Sequence, residues 1–262
     1  MRKALWLGLG LLLAVSSAAA DDWNKSFTLS GKPQLRVDAK DGNVYVSVWD
    51  KNQIDAHVST VGYKIGNEAV RISERQTGDR VEIELQMPHE HWCFGYCHRS
   101  IRLEVKVPRQ ADLDLHTGDG NIEGDDVQGS LQFTTGDGNV TFHSIGGKLR
   151  ARTGDGNIRI SGRFDDLDIH TGDGNVEAEA VSGSKMDSSW LVRTGDGNVE
   201  LRVPSDLSAD VDVRTGDGRI TFDLPVTISG TVNRSALHGK LNQGGPMLEV
   251  RTGDGNVHLG GR

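Results

Sequence analysis

The stretch Thr117-Gly118-Asp119-Gly120-Asn121-Ile122 decides the fold, because it returns six more times. Further copies begin at Thr135, Thr153, Thr171, Thr194, Thr215 and Thr252, at spacings of 18, 18, 18, 23, 21 and 37 residues. Arg219 is the one central departure, standing where the other copies carry Asn. Recurrence of this kind, with an 18-residue spacing held through the first four copies, is the signature of a repeat architecture in which no single unit can bury its own apolar face.

The flanks repeat with the motif. Two apolar positions lie four and two residues before each Thr, as in Leu113/Leu115, Leu131/Phe133, Leu167/Ile169 and Leu248/Val250. Mostly polar residues separate them, such as Asp114, Gln132, Asp168 and Glu249. After the bend comes Ile or Val, usually with another apolar residue two further on, as in Val140/Phe142 and Val257/Leu259. Alternation with a period of two marks strands with one buried face. Each unit therefore reads as strand, Gly-Asp-Gly bend, strand, looser turn.

Stacking the units lets each pair its backbone with the next, so that like side chains align into ladders. The expectation is an all-β chain: a β-solenoid, or β-helix, of about seven 18-residue-type coils over residues 109–262, following a β-rich N-terminal portion over 21–108. Rungs about 4.8 Å apart would span on the order of 30 Å. The Thr positions share parity with the core and should form one ladder, and the Asn positions another. The competing topology uses each Asp-Gly as a two-residue hairpin turn, giving an antiparallel meander. The longer spacings read as insertions at the looser turn, a small one at Lys185–Ser189 and a larger one at Thr227–Pro246.

Within 21–108 the candidate strands are 34–39, 43–49, 54–63, 70–75, 81–87 and 101–107. The run from Leu35 to Val44, with Asp41-Gly42-Asn43, reads as a worn copy of the repeat. Residues 1–20 read as a secretory signal: basic Arg2 and Lys3, an apolar run from Leu5 to Val15, and small residues before Asp21. The chain is thus expected to be exported, with periplasm and cell surface both open. Removing that segment, which holds two cations and no acid, takes the formal net charge from −8 to −10. That sign argues against nucleic acid or an anionic membrane surface as partner. The 34 glycines are nearly twice ordinary usage and punctuate turns.

An alternating apolar strand, then Thr-Gly-Asp-Gly-Asn-Val, repeated after a Val-Pro lead-in (Val107-Pro108, Val203-Pro204), resembles the bacterial candidate-adhesin family known as domain of unknown function 4097. The resemblance covers most of the chain after residue 20. It implies an extracytoplasmic solenoid-like fold and envelope or adhesive roles, and it carries no catalytic residues over.

Three constellations could carry chemistry. The first is the Asp series Asp119, Asp137, Asp155, Asp173, Asp196, Asp217 and Asp254. Stacked carboxylates at ~4.8 Å repel by nearly 1 kcal/mol per neighbour even in water. Turn backbone N–H groups could absorb that charge, or calcium held between coils could; no resident cofactor is the leading expectation. The second is the loop holding the only two cysteines, Cys93 and Cys97, with His89, His91 and His98. A nearby pair in an oxidising compartment reads first as a disulfide, and zinc or copper is the alternative. The third is the outward position before each Thr: His116, Thr134, Arg152, His170, Arg193, Arg214 and Arg251. These would form a row along one face, either a solvated ladder of mixed charge or a strip for an extended ligand.

No G-x-S-x-G, H-E-x-x-H or phosphate loop is present. The leading functional expectation is a non-enzymatic envelope scaffold that binds an envelope or extracellular protein or a glycan. A carbohydrate-active solenoid enzyme and a metal-responsive envelope sensor are the alternatives. Open solenoid ends need capping, which leaves end-to-end self-association open.

Overall fold

The computed structural model describes residues 20–66, 70–87, 99–224, 226–228 and 233–262. Among them there is no helix, and twenty-one strands form one continuous sheet. No helix of the described residues is long and apolar enough to cross a membrane.

The sheet folds into two faces that enclose a shared interior. The first face holds the strands that precede each bend. Asp112–His116, Gln128–Thr134, the second half of Val140–Thr153, the second half of Ile158–Thr171 and Trp190–Arg193 pair side by side, all parallel. The second face holds the strands that follow each bend: Ile122–Asp125, the first halves of the two long strands, Val176–Ala180 and Val199–Val203. Register is like on like, Leu131 beside Leu113 and Leu149, and Val140 beside Ile122 and Ile158. Parallel pairing throughout the repeat rules out the meander. Among the described residues, antiparallel pairs occur only toward the two ends.

The interior is filled from both faces. Phe133 and Phe142 stack across it with ring centroids 4.1 Å apart, and Phe164 meets Trp190 edge to face at 6.3 Å. Gly124 occupies the position one rung before Phe142, where a Cβ would sit 2.6 Å from that ring. The missing side chain makes the room.

The order of rungs departs from the order of the sequence. The Thr252 copy lies between the Thr194 and Thr215 copies, because Met247–Thr252 pairs with Trp190–Arg193 on one side and Ala209–Thr215 on the other. Val257–Gly261 is likewise placed between Val199–Val203 and Ile220–Phe222. The segment expected to be a large turn insertion instead supplies Ala236–Leu241, which runs antiparallel along the outer edge of Ala209–Thr215, and Val226–Ile228 at its start pairs antiparallel with the far side of Ala236–Leu241. The inserted rung brings Leu248, Val250, Val257 and Leu259, all fully buried. The rung left at the end carries Phe222, which is 36% exposed. Covering apolar surface on both sides is the driving force that favours this order over the sequential one. The smaller insertion, 185–189, does lie in a loop.

The opposite end mirrors this arrangement. Gln34–Asp38 and Asn43–Trp49 form a rung directly beneath the Thr117 copy, which identifies the worn repeat as a member of the stack. Outside it lies a later rung, Arg80–Gln86 with Ser100–Pro108. Arg71–Thr77, Gln53–Val61 and Ala20–Thr28 then cover that rung in antiparallel fashion. The last of these is a strand that the alternation pattern does not announce. The edge strand Arg71–Thr77 at this end is exposed and rich in charge, a feature that discourages edge pairing.

Candidate functional site

Three ladders converge on the bends of the motif-bearing rungs, built from the Thr, Asn and Asp positions. The Thr of each copy is buried, and its Oγ1 approaches the second Gly carbonyl of the rung below: Thr135 to Gly120 at 2.9 Å, Thr153 to Gly138 at 2.9 Å, Thr252 to Gly197 at 2.8 Å. The same hydroxyl accepts from the N–H three residues on, as Gly156 N–H does to Thr153 at 3.2 Å. Bending the chain that tightly leaves no space for a side chain at the second Gly. A Cβ on Gly156 would stand 1.9 Å from the Gly138 carbonyl oxygen. Close approach, rather than an unusual φ, requires glycine there.

The Asn side chains form the second ladder. Each Oδ1 accepts the backbone N–H of the next rung's Asn, as Asn139 does from Asn157 at 2.9 Å and Asn157 from Asn175 at 2.9 Å. It also accepts that residue's Nδ2, at 3.2 and 3.1 Å. The ladder begins at Asn43, which accepts from Asn121 N–H at 2.8 Å. It ends where Asn256 accepts from Arg219 N–H at 3.0 Å. Arg219 belongs to the terminal rung, above which no described rung needs an acceptor. The one departure from the motif thus falls where the motif's Asn has lost its task.

The third ladder is the Asp series, and every member is exposed. Asp41 of the worn repeat extends it, since a Cβ on Gly118 would stand 2.5 Å from its Oδ1. Among the described residues these carboxylates accept no hydrogen bond from their turns, so charge is carried openly along the edge. No group of three or more His, Cys, Asp or Glu side chains gathers to a metal-sized cluster among the described residues.

The outward row on the first face is in place: His116, Thr134, Arg152, His170 and Arg193 on successive rungs, then Arg251 and Arg214 in that order. Its arginines are engaged by the neighbouring acids. Arg152 meets Asp168 at 3.4 Å, Arg193 and Arg251 meet Glu249 at 2.7 and 2.6 Å, and Arg214 meets Asp212 at 3.1 Å. The Arg193 hydrogen bond, set against partial desolvation and aided by the Arg251 charge, holds the Glu249 carboxyl below the usual range. The cysteine loop, with His89, His91, Cys93, Cys97 and His98, lies outside the described residues, as do residues 1–19.

A groove that no single stretch of sequence displays runs along the second face. It crosses seven motif-bearing rungs and encloses about 700 Å³. One wall is the Asn ladder from Asn139 to Asn256. The other is the outward position two residues later: Glu123, Thr141, Arg159, Glu177, Glu200, His258 and Thr221. Two residues along a strand separate the walls by roughly 7 Å. The floor is strand backbone whose donors are already used, as Ile158 N–H is by the Asn175 carbonyl at 2.9 Å. Arg159 binds Glu177 at 2.7 Å, and Thr221 Oγ1 lies 3.1 Å from His258 Nδ1. Each Asn amide commits one N–H to the ladder and has a second to offer. The alternation in the sequence marked these positions as outward, but only stacking turns isolated pairs into a continuous channel.

No curated protein matches the chain. A candidate adhesin from Bacteroides fragilis shares the fold, with a TM-score of 0.51 at 11% identity over 91% of this chain and 96% of that one. A candidate cell adhesion protein from Clostridium sporogenes aligns with a TM-score of 0.45 at 12% identity, over 93% and 100% of the two chains. A candidate lipid-binding protein from Parabacteroides distasonis aligns with a TM-score of 0.39 at 9% identity, over 92% and 98%. Residues 33–260 match the Toastrack family, and this all-β stack with its Thr, Gly and Asn ladders therefore belongs to Toastrack DUF4097.

Proposed function

We propose that the protein is a non-enzymatic binding scaffold that acts outside the cytoplasm, holding an extended partner in the groove beside the Asn ladder. The observation that carries this reading is the groove itself: rung after rung offers an amide and a second polar side chain at constant spacing, with the backbone beneath them fixed by its own hydrogen bonds. Binding in such a channel is distributed over many equivalent contacts, as adhesion requires, instead of being focused on one reacting bond. The adhesin role ascribed to the B. fragilis protein of the same fold points the same way. Export rests on the basic-apolar-small order of residues 1–20.

The test is binding of the purified chain to whole bacterial cells and to isolated envelope, with a variant in which Glu177→Trp fills the channel. Saturable binding that the variant loses, with the ligand recovered unchanged, is the expected result. Release of cleaved product would overturn the non-enzymatic reading. Binding that survives Glu177→Trp would remove the groove from it.

A further inference from the structure

We infer that the ligand of the groove is a linear glycan without acidic groups, made of neutral or free-amino sugars; the inference rests on the groove reading above and names its ligand class.

Geometry comes first. The channel crosses the strands, so an extended peptide lying in it would meet no free backbone edge, and strand addition is unavailable. Recognition must come from side chains. Those that face the channel are mostly amides, carboxylates and hydroxyls, which are the groups that hydrogen-bond sugar hydroxyls. Their repeat is one rung, ~4.8 Å. A polymer read by the Asn amides, which recur unchanged at that step, must itself repeat like units at a similar step, as a chain of pyranose rings does. A peptide, with varied side chains and a shorter residue rise, does not.

Charge then narrows the class. Glu177 and Glu200 are paired neighbours on adjacent strands, and Glu123 stands further along the same wall. Among the described residues, Arg159 is the only Arg or Lys lining the channel; Glu177 binds it at 2.7 Å, Glu200 is bound by Arg202 further along its own strand, and the lining as a whole holds three carboxylates, Glu123, Glu177 and Glu200, against that one guanidinium. The exposed Asp ladder stands at the bends of the same rungs, two residues before the Asn position, and adds further negative charge to the molecule on that side. A polyuronate, a sulfated glycan or a phosphate-linked polymer would carry its charge into a field of the same sign. A neutral chain meets no such repulsion, and a protonated amine on the sugar would gain from the field.

The experiment uses the chain as exported and three probe series of two to eight sugars: β-linked gluco-oligosaccharides, their 2-amino counterparts, and oligogalacturonates. Affinity should rise with length in the first two series and be absent in the third. At low salt the amino series should bind more tightly, and Glu177→Gln with Glu200→Gln should erase that advantage while leaving the neutral series bound. Glu177→Trp should weaken both by roughly ten-fold or more through lost groove contacts, with an unchanged thermal midpoint. Equal binding of oligogalacturonates, no dependence on length, or no binding by any series would overturn the inference. Cell binding that resists periodate but is abolished by protease treatment of the cells would also overturn it, while leaving the binding-scaffold reading intact.

Discussion

Replacing Thr153 by Val keeps the shape of the side chain and removes only its hydroxyl. Thr153 is 4% exposed, and Oγ1 lies 2.9 Å from the Gly138 carbonyl and 3.0 Å from that of Gly136. One hydroxyl hydrogen serves one of these oxygens at a time, while the lone pairs accept Gly156 N–H at 3.2 Å. The Val variant therefore strands a buried N–H and a buried carbonyl, at a cost of about 2–4 kcal/mol together. For a chain of this size that corresponds to a fall in thermal midpoint of roughly 5–15 °C. Thr153→Ser supplies the control: it keeps the hydroxyl and loses one buried methyl, about 0.8 kcal/mol. The assay is thermal melting followed by circular dichroism at the β-sheet minimum. If Val and Ser fall by equal amounts, or Val melts with the parent, the hydroxyl ladder is not what holds the bend and the reasoning is wrong.

Gly156→Ala should cost more than Thr153→Val, beyond about 4 kcal/mol, because the new Cβ must push the Gly138 carbonyl away and force adjacent rungs apart along both faces; insoluble expression or a larger midpoint drop checks it. Asn157→Ala should cost about 0.5–1.5 kcal/mol, since it removes the acceptor of two Asn175 donors at 2.9 and 3.1 Å, whereas Arg219→Asn at the terminal rung should stay within about 0.5 kcal/mol. The contrast is read from urea unfolding midpoints of the two variants. Glu249, held below its ordinary value by Arg193, contributes stability above the unfolded-state pKa that disappears as pH falls through the folded-state one. Glu249→Gln should accordingly lower the melting midpoint at neutral pH and converge with the parent below the carboxylate range, and a constant difference across that range would contradict the pairing.

Much of this molecule follows from local chemistry that one chain of letters displays. Alternation around each Thr determined which side chains face inward, and the 18-residue period determined that like would stack on like. The identity of the bend residues determined the ladders: a hydroxyl that can bridge rungs, a glycine that lets them touch, an amide that donates and accepts. Even the worn copy at Asp41-Gly42-Asn43 was legible, because its Asn still starts the amide ladder. The order of rungs was not. Copies that share one register are nearly interchangeable neighbours, so local pairing does not choose among them. What chooses is burial at the ends, where Leu248, Val250, Val257 and Leu259 fill a two-sided slot and the hairpin of Ala236–Leu241 takes the outer edge. The groove depends on the same step, since its walls are residues far apart along the chain that share a channel only once stacking has placed them there.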